Sequence, residues 1–360
     1  MTSAHPKIIV VGAGIIGVSI AYHLAKAGAA PVVVDSTATW AATRGSWAWI
    51  NASFGNPEPY FRLRMQGIAG WHRIFREIPG LPLSFPGSLS FDLSDADLNS
   101  YFAQHRAWGY RMEEAGAARI AELEPALREI PKRAAFCVDE GKVEPVEAAD
   151  MLLAAAVANG ARHLRETVTS LSLAGGRATG VLTTNGRIEA DQVVLASGTG
   201  TNALLSGTGF TLPLDRPKGI LVHSKPLPPV LERLIISPGM EVRQTTAGRI
   251  VASIDYQKVR LDAAEATGAA IIARLNAMLR LPEQARLSHV TVTERPIPRD
   301  GFSIAGAVPG IAGLTLAVTH SGITLAPAIG SMLAAEILGA ARDPLLRPFG
   351  PERFSHEAAA

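Results

Sequence analysis

Gly12, Gly14 and Gly17 stand in a G-x-G-x-x-G spacing inside KIIVVGAGIIGVSIAYHLAKAGAAPVVVDS, which runs from Lys7 to Ser36. These residue types suit the binding of a pyrophosphate. Gly12 permits a tight turn, Gly14 lets backbone approach the phosphates, and Gly17 lets a helix pack closely on a strand. Ile15 and Ile16 open that helix, whose N-terminus offers partial positive charge to an anion. Asp35 follows eighteen residues after Gly17, with Ser36 next to it, where a carboxylate accepts ribose hydroxyls. A carboxylate there disfavours a ribose 2′-phosphate, since two anions would be forced together. The unit reads as dinucleotide-binding. By itself it does not separate NAD from FAD.

The elements that must position these residues follow from the patterning. Ile8 to Val11 and Val32 to Asp35 are short apolar strands around a helix that begins at Ile15 and ends near Gly28. From Thr37 to Pro59 the composition is that of a loop. Pro145 to Asn159 reads as an alanine-rich helix, and Asn185-Gly186 between two β-rich runs as a hairpin turn. Val193 to Ala196 is an apolar strand running into SGTGTN, and a helix from about Leu325 to Leu338 comes last.

The bulk composition excludes several classes. A chain of 360 residues, 48% hydrophobic, is long enough for two cores. A net charge of +2 without a dense Lys/Arg block does not indicate a nucleic-acid partner. No apolar run reaches the ~18–20 residues of a membrane span, and MTSAHPK is a poor signal-peptide start. Cys137 is the single cysteine, so no internal disulfide forms, which suits a reducing cytoplasm, and in AAFCVD it reads as a small buried hydrophobe. The histidines lack ligand spacing, so no metal is expected.

Four blocks of the chain resemble the FAD-dependent amino-acid and amine oxidoreductases, the D-amino-acid oxidase superfamily, with glycine oxidase and monomeric sarcosine oxidase as the nearest types. They are the N-terminal unit through VVVDS, then VEPVEAADMLLAAAVANGA, QVVLASG, and RPIPRDGFSIAG with THSGITLAPAIG. The resemblance implies an α/β fold: a glutathione-reductase-like FAD-binding Rossmann domain with an interleaved antiparallel-sheet α+β substrate domain. Residues 1–80, 135–210 and 301–360 are expected in the first, residues 81–134 and 211–300 in the second. Val168 matches the family valine that contacts adenine through its backbone, and Ser197 and Gly198 end the strand beside the dinucleotide. Thr43 and Arg44 fall at phosphate-binding places, with Ala48, Trp49 and Ile50 beside the ring. Ser321, Gly322, Ile323 and Thr324 start a helix whose free N–H groups would face the pyrimidine end of the flavin. A helix N-terminus there stabilises the negative charge of reduction by ~0.3–2 kcal/mol. With no cysteine in the last third of the chain for attachment, FAD is expected to be non-covalent.

For the substrate end, the resemblance implies an arginine that grips a carboxylate, and Arg295 in ERPIPRDG matches it. Arg243 lies in the strand where the family places a residue facing substrate, as a second carboxylate contact. His320 stands where glycine oxidase has another arginine, to hydrogen-bond substrate or the flavin edge, or to cap the turn. Trp47 and Trp49, two apart in extended chain, could line one wall of the site or pack between domains. The expected reaction is oxidation of the C–N bond of glycine or an N-substituted glycine with an apolar arm. The resulting imine hydrolyses to an oxo acid such as glyoxylate and a free amine, and O2 is reduced to H2O2. Two alternatives remain: a D-amino-acid dehydrogenase that passes electrons to a quinone or protein acceptor, and a non-catalytic flavin-binding subunit. A homo-oligomer is left open.

Overall fold

The computed structural model describes residues 6–36, 42–53, 55–254 and 264–354. Within them a six-stranded sheet runs in the order Ile304–Ala307, Leu314–Val318, Gln192–Leu195, Ile8–Val11, Val32–Val34, Arg162–Leu164. All its pairs are parallel except that of the edge strand Ile304–Ala307. Strand residues that alternate in sequence go to opposite faces. Ile8 and Val10 pack with the helices Ile15–Lys26, Pro145–Ala158 and Gly322–Ile337. Ile9 and Val11 instead meet a second apolar layer that holds Ala178 and Val181. Those two belong to a three-stranded antiparallel sheet, where Asn185-Gly186 makes the expected hairpin and Thr183 pairs with Gly186. Parallel strands covered on both faces must be apolar throughout, which is why IIVV reads as an unbroken run.

The second large sheet has eight strands, in the order Leu287–Glu294, Lys218–Pro226, Arg249–Ser253, Met240–Gln244, Leu234–Ser237, Ser88–Ser90, Arg133–Cys137, Met112–Gly116. Residues 135–137, expected in the dinucleotide region, complete a strand of this sheet, since Leu89 pairs with Phe136 and Ser88 with Cys137. One face buries Leu89, Val242 and Ile250 against the helix Ala264–Met278. The other face carries Ser88, Ser90, Leu234, Ile236, Glu241, Arg243, Val251 and Ser253, which share a side by register.

The helix Gly322–Ile337 lies against the helix Glu58–Glu77 at backbone distance. A β-carbon on Gly67 of the helix Glu58–Glu77 would stand 2.1 Å from the Thr324 carbonyl oxygen, and one on Gly70 2.4 Å from Pro327. Pro327 sits inside the last helix and cannot donate to the carbonyl of Ile323. The Trp71 indole N–H takes that place at 2.7 Å. A buried acceptor is thereby satisfied.

Candidate active site

A cavity of about 660 Å³ extends from Asp35 to His320. It is within the size range of small-molecule sites, ~300–1,000 Å³. Its first end is made by the glycine turn. Gly12 has φ +104°, and a β-carbon there would stand 2.6 Å from the Ala196 carbonyl oxygen. A β-carbon on Gly17 would meet the Gly12 carbonyl oxygen at 1.9 Å. Asp35, at the end of the second strand, accepts the Ala13 N–H on Oδ1 at 3.1 Å. Thr43 Oγ1 accepts the Ile15 N–H at 3.0 Å, tying the loop to the helix N-terminus. Gly14, Ile16, Ser36, Arg44 and Val168 line this half, and Ser197 and Gly198 its middle.

His320, Gly322 and Ile323 also line the cavity, and a β-carbon on Gly322 would stand 3.5 Å from Ile16 and 3.6 Å from Ile15, so the two helix starts adjoin. His320 opens onto the cavity. Burial in the protein, then the nearby Arg295 and Arg64 guanidinium groups, push its pKa down to about 4. Its ring is neutral at pH 7 and offers a hydrogen bond rather than a charge. Ser321 is the N-cap of the last helix, and its Oγ accepts from Arg64 at 2.7 Å. Arg64 is buried, and Nε donates to the Asn51 carbonyl at 2.9 Å while its other nitrogen contacts Asn51 Oδ1. Sequence reading missed this residue. It lies in a helix interior, and only the chain fold carries it beneath the turn at Ser321.

Several expected cofactor contacts hold the loop instead. Ala48 and Ile50 are buried. The buried Thr324 donates from Oγ1 to the Trp49 carbonyl at 3.1 Å and accepts the Asn51 N–H at 3.2 Å. These contacts fasten strand Trp49–Ile50 to the last helix. Ala48 adopts φ +64°, the single non-glycine positive φ among the described residues. The backbone kink there ends the extended run assumed for the two tryptophans. Trp47 and Trp49 pack edge to face, centroids 5.6 Å apart. Trp47 is only 5% exposed, in an apolar cluster with Leu221, Leu234, Ile236 and Val251. Only Trp49 keeps partial exposure, and its Nε1 donates to the buried Glu140 at 2.8 Å.

Arg243 is a correction. It is 3% exposed, and its guanidinium spans both oxygens of Glu144 at 3.1–3.2 Å while Nε donates to the Trp47 carbonyl at 2.6 Å. An arginine committed to an internal carboxylate has its charge already matched, so it joins strand to helix start rather than receiving a second anion. Arg295 is placed differently. Its guanidinium packs over Gly219, close to both His320 and Glu241. The neighbouring Pro296 lines the cavity. Glu241, two residues before Arg243 and on the same sheet face, was also missed. The signal was an acid two residues before Arg243, at a position of the strand Met240–Gln244 that shares its face.

A glycine turn that a β-carbon would close, an acid at the second strand end and a second helix N-terminus on the same cavity fit a dinucleotide with an electron-accepting ring. The family model for FAD dependent oxidoreductases (DAO) matches residues 7–336. The chain belongs to that family. FAD is its cofactor, and the family member described here is an oxidoreductase of amines and amino acids. It is 27% identical to the glycine oxidase of Pseudomonas aeruginosa over 362 residues, covering 95% of this chain and 97% of that protein. Identity to the glycine oxidase of Bacillus licheniformis is 28% over 351 residues, 92% of each. The structure of iminodiacetate oxidase from Chelativorans sp. BNC1 superposes with a TM-score of 0.82 at 25% identity, covering 96% of this chain and 100% of that one. Cys137 of this oxidoreductase is buried in the eight-stranded sheet, its Sγ 3.8 Å from the Tyr101 hydroxyl. No helix among the described residues is long and apolar enough to cross a membrane.

Proposed function

We propose that this flavoenzyme oxidises the C–N bond of an amine that carries an α-carboxylate. The products are an imine, hydrolysed by water to an oxo acid and a free amine, and H2O2 from O2. When bound, FAD supplies the two-electron acceptor. The chain's own residues supply holding and orientation. Gly12, Gly14 and the N-terminus of helix Ile15–Lys26 would hold the pyrophosphate, with Asp35 at the ribose and Arg44 beside the phosphates. Arg295 would clamp the carboxylate with paired charged hydrogen bonds, each contributing ~1.5–3 kcal/mol. His320, neutral, would hydrogen-bond the substrate or the ring edge without repelling a cationic amine. The N–H groups at Gly322 and Ile323, backed by the Arg64 guanidinium, would favour negative charge on the ring.

One observation carries this reading. A guanidinium, Arg295, lies close to His320, which lines the cavity that Asp35 also lines. A carboxylate bound there sets its α-carbon near the ring end of the cavity, which is the orientation that oxidation at that carbon requires.

The test uses purified yellow protein, mixed anaerobically with glycine, N-methylglycine, a set of D-amino acids, and amines of matched size lacking the carboxylate. Bleaching of the flavin band by carboxylated amines alone is expected, with H2O2 on admitting air. Equal bleaching by the uncarboxylated amines overturns the carboxylate clamp. Reduced protein that stays bleached in air assigns the electrons to another acceptor.

A further inference from the structure

The face of the eight-stranded sheet turned toward Trp47 carries a line of polar groups that the carboxylate clamp does not use. Register sets the line. Ser90 pairs with Ile236, Ile236 with Glu241, and Glu241 with Ser253, so all four side chains project from one face. Gly219, the residue Arg295 lies across, belongs to the next strand after Ser253. Leu221 is the partner of Ser253 and Gly219 stands two residues further along, so at ~4.8 Å per strand and ~3.4 Å per residue the backbones of Glu241 and Gly219 are about 12 Å apart, a gap that a long arginine and a glutamate reach into from either side. Asp92, just past Ser90, lies beyond Glu241 as seen from Arg295. Positive charge at one end of the line faces carboxylates at the other.

Two of these groups lack a partner among the described residues. Ser90 is 1% exposed, and its Oγ has no hydrogen-bond partner among the described residues. Asp92 Oδ1 is buried and equally unpartnered. Glu241 takes a hydrogen bond from Ser253, and Arg295 draws its pKa down, yet burial prevails and its carboxyl remains raised, with Asp92 adding to the rise. Burial also raises Asp92. Among the described residues, Arg295 is the cation that acts on Glu241, and Asp92 Oδ1 and Ser90 Oγ take no hydrogen bond. An alkylammonium has three N–H donors and no acceptor, which complements a hydroxyl and two carboxyls.

We propose that Glu241, with Asp92 and Ser90 behind it, is a subsite for a cationic group on the substrate's arm, so that the preferred substrates are amino acids or N-substituted glycines with a basic arm. The proposal rests on the reading in which Arg295 holds the α-carboxylate. It replaces the apolar arm expected from two exposed indoles, because Trp47 is buried in the sheet's own cluster. A second cation reaching past Arg295 would meet opposite charge there. An apolar arm would leave Asp92 Oδ1 and Ser90 Oγ without a donor among the described residues.

The experiment uses holoenzyme and two near-isosteric compounds, N-(2-aminoethyl)glycine and N-propylglycine, followed by anaerobic flavin bleaching. The aminoethyl compound is expected to bleach with at least a tenfold higher rate constant over Kd. Glu241→Gln is expected to cut that preference below threefold, and Asp92→Asn to reduce it in part. Binding is measured separately, by calorimetry, with the thioethers (2-aminoethylthio)acetate and propylthioacetate, which lack the reacting nitrogen. The same preference and the same loss in Glu241→Gln are expected. Wild-type enzyme that favours the propyl compounds or treats both alike overturns the proposal, whatever the variants do. A preference kept intact in folded Glu241→Gln also overturns it. Bleaching by neither compound, with neither thioether bound, removes the carboxylate reading itself.

Discussion

The guanidinium of Arg295 rests on the bare α-carbon of Gly219, where an added β-carbon would stand 2.7 Å from Nε and 3.0 Å from the nearer terminal nitrogen. The atoms in the way are the far end of a flexible side chain, so the fold accommodates an alanine by moving the guanidinium. Gly219→Ala is therefore expected to leave thermal stability within about 1 kcal/mol, since alanine in a strand costs less entropy than glycine. Losing one charged hydrogen bond to the carboxylate weakens binding about tenfold or more. Calorimetry with (methylthio)acetate checks this. Unchanged affinity in a folded variant would contradict the clamp.

Gly12→Ala combines a disfavoured φ of +104° with a 2.6 Å clash against backbone at Ala196. Neither can relax by a rotamer change. The variant is expected to purify colourless or to lose FAD on desalting, as read from the ratio of visible to ultraviolet absorbance. Full retention of FAD would separate the glycine turn from cofactor binding.

Arg64 places a buried positive charge under the N-cap of the last helix. Burial lowers its pKa, while Tyr60, Glu140 and Tyr110 sustain the charge. Arg64→Met is expected to lower the flavin midpoint potential by about 30 mV or more, a tenfold change in preference for the reduced form in a two-electron couple. Arg64→Lys should recover most of that shift. Dye-equilibration titration measures both, and an unshifted potential in Arg64→Met with an intact flavin spectrum would remove the electrostatic role.

Glu124 is fully buried, with Oε2 accepting the N–H groups of Glu232 and Arg233 at 2.9 Å while Oε1 has no partner among the described residues. Burial pushes its pKa up to about 7 from 4.5. Between those values the folded state holds the proton more tightly than the unfolded one, so its contribution is complete below pH 4.5 and lost as pH rises through 7. The melting temperature of wild type minus that of Glu124→Gln should fall over this window. A difference independent of pH would show that the carboxyl titrates normally.

What could be read in advance was what is local. Gly17 and Asp35 answer constraints within one strand, one turn and one helix, so their spacing suffices, and the turn likewise asks for a positive φ at Gly12, although the backbone it meets at Ala196 comes from far along the chain. Arg243 and Glu241 differ only by what arrives from elsewhere. Glu144, at the start of a distant helix, claims the first, while Arg295 and Asp92 surround the second. Neither partner is visible in MEVRQ. Trp47 and Trp49 failed as a shared wall because the one intervening residue, Ala48, takes a left-handed conformation that alanine seldom adopts. Arg64 was invisible for the same reason as Glu241: its meaning comes from Ser321 and Asn51.

The six-stranded sheet puts Leu314–Val318 beside Gln192–Leu195, which in turn lies beside Ile8–Val11. Synthesis delivers these three strands in the order in which they pair, Ile8–Val11 first, and the turn at Gly322 emerges after all of them. On the ribosome, the nascent chain therefore exposes its glycine turn long before any flavin can be enclosed.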